Sequence, residues 1–235
     1  MSSPAADPAR RRRKDARPQE LLEAALALFV DKGFAATRAE EVAQAAGVSK
    51  GTLYLYFQSK EDLLKAVISH FVSQRIAATL GEIAQHTGPC GPVLRQGLAD
   101  WWIEAHDSPA AGVFKLIISE VRNFPEIGRF YAQEVVEPAH AMLAALIRRG
   151  IASGEFRPLD PDLVVHSLIL PLVMLCVHRH SLAPCVSPLS ADAAQFIRHH
   201  VNLVVDGLQT GAPGLPPQDS ACCGPSTRSL EPPSP

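Results

Sequence analysis

A short stretch, residues 50–56, concentrates side chains able to read a nucleic acid. On a helix opened by Ser49, the outward positions are Lys50, Gly51, Thr52, Tyr54, Leu55 and Tyr56: a cation, bare backbone, a hydroxyl, and two phenols around a leucine. Such a set can bond base edges and phosphate oxygens. Other chemistry is weaker. Glu137-Pro-Ala-His140 is a single E-x-x-H, whereas helical di-iron sites use two together with further carboxylates. His178 with His180, and His199 with His200, are spaced so that their rings leave a helix on different sides, which argues against a metal site. G-x-S-x-G, H-E-x-x-H, the P-loop and G-x-G-x-x-G are absent from the sequence, so no enzyme, metal or cofactor is expected. The five cysteines, Cys90, Cys176, Cys185, Cys222 and Cys223, never stand in C-x-x-C spacing and indicate neither a disulfide framework nor a zinc ribbon.

To enter a major groove, such a helix needs a second short helix to brace it across a tight turn. Residues 37–57 fit. Thr37 and Glu40 read as a T-x-x-E capping box opening a helix that ends near Ala46. Gly47 stops it, and Ser49 caps the next helix, 50–57. Val42, Val48 and Leu53 supply a miniature core, with Ala43 small at the crossing. A first helix is expected from Pro18 to Asp31, its inner face carrying Leu21, Leu22, Ala25, Leu28 and Phe29. A long helix follows the Ser59/Asp62 capping pair. Spacing alone fits an ordinary helix corner equally well, with Tyr54 and Tyr56 half-buried as packing residues.

Farther on, Pro, Gly and Ser-Pro breaks separate helices expected at 92–106, 109–122, 125–153, 161–182 and 190–208. Strand alternation and hairpin turns are missing, so the fold class is all-α. Residues 1–15 read as a disordered basic arm, 16–62 as a three-helix helix-turn-helix domain, 63–210 as a larger helical bundle, and 211–235, with seven prolines, as a disordered tail. Residues 1–65 hold eleven of the 22 Lys and Arg against nine acids, while the remainder is net acidic, an asymmetry that favours a polyanion at the N-terminal end. The run Arg10–Lys14 could be a DNA arm or a solvated tail. No secretory signal is visible, and the longest apolar run, Leu168–Val177, contains Pro171 and is too short for a bilayer; a cytoplasmic protein without membrane partners is expected.

Residues 33–64, GFAATRAEEVAQAAGVSKGTLYLYFQSKEDLL, closely resemble the DNA-binding signature of the TetR family of bacterial repressors. The matching pieces are G-F-x-x-T, A-x-x-A-G-V-S-K-G-T-L-Y, Y-F and S-K-E-x-L-L. The resemblance covers about residues 16–75, and the rest matches by helical layout only. It implies that Thr37 and Arg38 contact phosphates, that Lys50, Gly51 and Thr52 start the base-reading helix, that Tyr54 and Tyr56 touch the sugar-phosphate backbone, and that Lys60 bonds a phosphate. Leu55 departs from the pattern, which leaves open whether it meets a thymine methyl.

A regulator of this kind implies double-stranded operator DNA, a small-molecule effector and a homodimer. The last two long helices are the candidate seam, with Leu163, Val164, Leu168, Leu172 and Leu175 facing Phe196, Ile197, Val201, Val204, Val205 and Leu208. Those faces could equally fill the chain's own core. The effector-pocket candidates are Trp101, Trp102, His106, Phe114, Ile118, Phe130, Met142, His166, Leu170 and Met174, aromatics and soft apolar groups with isolated polar ones. Core packing is the competing reading for each. The alternatives in function are a ligand-independent DNA-binding adaptor, favoured by a filled second core, and an all-α metal-dependent enzyme.

Overall fold

The computed structural model describes residues 8–182 and 192–211, with 8–17 as backbone only. Joining each π turn to the helices it continues gives nine helices among the described residues. These are α1 Pro8–Lys32, α2 Ala39–Ala45, α3 Lys50–Tyr56, α4 60–85, α5 90–107, α6 Ala111–Glu120, α7 125–152, α8 161–182 and α9 Ala193–Leu208. The π turns are Ser69–Ser73 in α4, Val93–Leu98 in α5, Ala132–Val136 in α7 and His178–Leu182 in α8. The all-α expectation holds.

Two expectations at the N-terminal end change. α1 begins at Pro8 rather than Pro18, so the backbone of the expected arm at 10–14 is helical. Pro8 occupies the first position, where its missing N–H costs nothing, and the Ala, Arg and Lys residues after it are good helix formers. Pro18 is carried inside the helix. The expected capping box is also shifted by one residue. The N-cap of α2 is Arg38, whose N–H is accepted by Glu41 Oε2 at 2.9 Å. Thr37 is turned back toward the preceding loop, where its hydroxyl donates to Gly33 O, and the extended residue that opens α2 is Arg38. The tail 212–235, with Cys222 and Cys223, and the segment 183–191, with Cys185, lie outside the described residues.

Two apolar cores form. The first joins α1–α4 to Val113, Leu116 and Ile127, so α6 and the start of α7 close the N-terminal domain from behind. Within it Phe34 meets Phe29 and Phe124 edge-on at 5.2 and 4.8 Å, contacts of about 0.5–1.5 kcal/mol each beyond area burial. The second packs α5–α9 around Trp102, Phe114, Ile147, Leu168 and Val201. Trp101 and Tyr131 touch both.

Most of the expected seam turns inward. Val164, Leu168, Leu172, Leu175, Ile197, Val201, Val205 and Leu208 are all buried in the second core. Of the expected seam only Leu163 is more than half exposed, with Phe196 and Val204 half-buried; Leu170 and Met174 on α8 and Leu203 on α9, which were not expected there, are also more than half exposed. The helix Pro161–Ser181 is long and apolar enough to cross a bilayer by length and composition, which the shorter run Leu168–Val177 had excluded. Here it packs against α6, α7 and α9 as a core helix.

Gly150 of α7 lies beneath the buried ring of Phe156, and a Cβ there would fall 2.2 Å from Cδ2. Overpacking of this kind costs about 1–3 kcal/mol. Gly150→Ala is therefore expected to lower the urea midpoint with an unchanged m-value; an unchanged midpoint would show that the ring moves freely.

Candidate nucleic-acid interface

The corner between α2 and α3 is fixed by backbone geometry before any side chain contributes. Gly47 adopts φ 66°, the left-handed conformation that glycine takes at least cost. Its N–H bonds Gln44 O at 3.0 Å while the Val48 N–H bonds Ala43 O at 2.9 Å, the paired closure that ends α2 in a Schellman turn. Two residues later Ser49 Oγ accepts the Thr52 N–H at 3.1 Å and caps α3. Val42, Ala43 and Leu53 are buried between the helices.

Leu53 is the one buried residue of α3. Lys50, Gly51, Tyr54, Leu55 and Tyr56 are exposed, Leu55 at 84%, and Thr52 is half-buried with its hydroxyl 2.8 Å from Ser49 Oγ. Lys50 is ion-paired with Glu40 of α2 and stands 5.8 Å from the Tyr54 ring centroid. The Lys50 ammonium holds the Glu40 carboxyl below the usual carboxylate range, and Glu40 in turn pushes Lys50 up. The pair braces α2 against α3 in the free protein, and a phosphate near Lys50 would have to displace or share it. Arg38 is exposed beside it.

Two residues expected at phosphates face the other way. Thr37 is 1% exposed and its hydroxyl donates to Gly33 O at 2.8 Å, with Leu28 O at 3.3 Å. Lys60 donates to Phe34 O at 2.8 Å, Thr37 O at 3.0 Å and Ala35 O at 3.3 Å, with its ammonium 4.4 Å from the Phe34 ring centroid. An ammonium has three N–H donors, and all three are taken. Both side chains therefore hold the 33–37 loop together.

Sequence reasoning missed two residues of α6 that grip this loop and α1. Glu120 is buried and accepts the Phe34 N–H at 3.1 Å. Lys115 donates to Val30 O at 2.7 Å, in the last turn of α1. The only signal was their type, charged residues within an otherwise apolar stretch from Val113 to Val121.

The ten effector-pocket candidates separate. Trp102, His106 and Phe114 are buried, with Trp102 stacked on Phe114 at 5.4 Å and edge-to-face with Trp101 at 5.3 Å. Trp101, Phe130 and Met142 are half-buried. Ile118, Leu170 and Met174 are more than half exposed, and His166 lies on the surface with Nδ1 2.7 Å from Asp162 O; these four are corrected to the outer face. α8 is apolar nearly all round, so its sequence carries no stripe that separates inside from outside. Among the described residues no group of three or more His, Cys, Asp or Glu is placed to hold a metal ion.

Comparison with known proteins bears on this geometry. Residues 21–67 match the family described as bacterial regulatory proteins, tetR family, and residues 85–184 match the tetracyclin repressor-like C-terminal domain. The HTH-type transcriptional repressor KstR2 of Mycobacterium tuberculosis is 33% identical over 153 residues, 64% of this chain and 74% of that protein. The HTH-type transcriptional regulator YfiR of Bacillus subtilis is 30% identical over 154 residues, 63% of this chain and 72% of that one. The solved structure of the ketosteroid transcriptional regulator KstR2 of M. tuberculosis superposes with a TM-score of 0.62 at 26% identity, covering 83% of this chain and 95% of the other. A helix-turn-helix with a bare recognition face, backed by a second helical core, defines a DNA-binding regulator. The chain belongs to the TetR family, and it is a DNA-binding transcriptional repressor of the ligand-responsive kind.

Proposed function

We propose that this repressor grips a two-fold symmetric operator as a homodimer, reads base edges through the outward face of α3, and releases DNA when a small effector occupies the 63–210 domain. The observation that carries the reading is the bare face of α3: a helix fixed at both ends, with one side chain buried and five residues exposed. Residues 16–62 form the DNA-binding domain, with Lys50, Gly51 and Thr52 at base edges and Arg38, Tyr54 and Tyr56 at the backbone. Thr37 and Lys60 act through the loop they hold.

A dimer is required to set two copies of α3 one helical turn apart, about 34 Å. The outward residues Leu163, Leu170 and Met174, on one face of α8, and Leu203 on α9 support the seam, since exposed large apolar side chains grouped on one face favour an interaction surface. The repressor works in the cytoplasm, on the nucleoid. The KstR2 relative is described as a ketosteroid regulator, which supports a predominantly apolar effector. Release is a population shift: the effector favours a placement of α6 in which the Glu120–Phe34 and Lys115–Val30 bonds no longer hold the recognition helices in register.

Selection of bound sequences from random duplexes by the ligand-free full chain tests this. A palindromic site is expected, and Thr52→Ala with Tyr54→Ala should weaken it by roughly tenfold or more, as loss of one good base contact does. Failure to enrich any symmetric site would overturn the operator reading.

A further inference from the structure

A cleft of about 480 Å³ opens between α1, the π turn of α4, the first half of α6 and the last turn of α8, outside the set of residues expected to hold an effector. One wall carries the cations Lys115 of α6 and Arg179 of α8, with the His180 imidazole beside them. Arg179 and His180 stand in the π turn His178–Leu182, a helix distortion that is frequent at functional sites. The wall is built from within. The Arg179 guanidinium bonds the His106 carbonyl and lies 3.5 Å from Asp107. Lys115 spends one N–H on Val30 O and keeps two. His180 Nε2 is shielded from solvent and has no hydrogen-bond partner among the described residues. Burial, and then the neighbouring Arg179, His106 and Lys115, hold the His180 imidazole below the ordinary histidine range, so the neutral ring can present an N–H.

The opposite wall decides which anion fits. Leu26, Val30 and Phe71 give it an apolar floor, and Glu23 and Asp31, both exposed, stand at its edge on α1. With Glu23 and Asp31 at the edge and Asp107 already 3.5 Å from the exposed Arg179, a phosphate dianion is repelled more than a monoanion, whose attraction comes chiefly from Lys115. We infer that this cleft is a binding site for an organic monocarboxylate, its carboxylate shared by Lys115 and Arg179 beside the His180 ring and its apolar body lying on Leu26, Val30 and Phe71. The bound carboxylate takes the two N–H groups that Lys115 keeps, draws the ammonium away from Val30 O and so loosens the last turn of α1 from α6. Binding itself does not depend on the operator reading; its effect on DNA does.

Calorimetric titration of the full chain with benzoate, phenylacetate and octanoate tests the site, with octanamide as the uncharged counterpart and inorganic phosphate as the anion without a body. Saturable binding of at least one carboxylate is expected, with octanamide and phosphate weaker by roughly tenfold or more, the size of one charge-assisted contact. Arg179→Gln should lower the affinity by a similar factor while leaving the melting temperature near that of the wild type, and Lys115→Arg should retain binding where Lys115→Gln loses it. Absence of binding by all three carboxylates, equal binding of octanoate and octanamide, phosphate binding as tight as the best carboxylate, or undiminished affinity in Arg179→Gln each overturns the site. A separate titration with the selected operator keeps the two readings apart: carboxylate binding without operator binding sinks the operator reading alone, and the converse sinks this one alone.

Discussion

Replacing Lys60 with methionine is expected to weaken operator binding by roughly 10- to 100-fold without flattening its dependence on salt. The ammonium bonds three carbonyls of one loop, Phe34, Ala35 and Thr37, and covers the Phe34 ring. Hydrogen bonds to a charged group contribute about 1.5–3 kcal/mol where they are well buried. These are only part-buried, so a total of about 2–4 kcal/mol is the reasonable scale for losing them together. The methionine keeps the stem, so the change isolates the charge. Loss of the loop misplaces α2 and α3 and lowers affinity through geometry. A phosphate contact behaves differently, since each one lost shallows the slope of log K against log salt by about 0.9. Urea unfolding alongside a salt titration checks both. Lower stability with an unchanged slope supports the bracing role, whereas unchanged stability with a shallower slope returns Lys60 to the DNA backbone.

Leu170→Glu combined with Met174→Glu should yield a folded monomer that loses roughly a thousandfold or more in operator affinity. Both side chains are more than half exposed on α8, a turn apart, on the face that also carries Leu163. Two carboxylates there meet two more from the symmetry mate, and like charges forced together in a desolvated seam cost several kcal/mol. A monomer engages half an operator, which returns it toward non-specific affinity, 10³- to 10⁷-fold weaker in typical DNA-binding proteins. Sedimentation velocity and the operator titration measure the two effects. A dimer that survives the double change would place the seam on another face. Because neither side chain enters the second core, far-UV circular dichroism should not change.

The recognition corner was legible in the sequence because local chemistry determines it. Gly47, Ser49 and the inward Leu53 act within a few residues of one another, and their roles follow from type and spacing. The capping residue was not, because T-x-x-E at Thr37–Glu40 competes with Arg38–Glu41 one position on. Only the fold reveals that the Thr37 hydroxyl is spent on Gly33 O. α8 misled for another reason: without periodicity, Leu170 and Met174 could not be told from Leu168 and Leu172, which fill the core two residues away. Glu120 and Lys115 were invisible because their partners lie 86 and 85 residues earlier in the chain.

The two tryptophans of the chain sit side by side in α5, and their neighbours belong to different helices. Trp102 stacks on Phe114 of α6 at 5.4 Å, while the Arg75 guanidinium of α4 lies 5.7 Å from the Trp101 ring. Any sliding of α6 against α4 must change the stacking on one indole, the charge over the other, or the angle between them. Near-ultraviolet dichroism and emission wavelength therefore follow that motion in the unlabelled protein, with no background from a third indole, and stopped-flow mixing can time it.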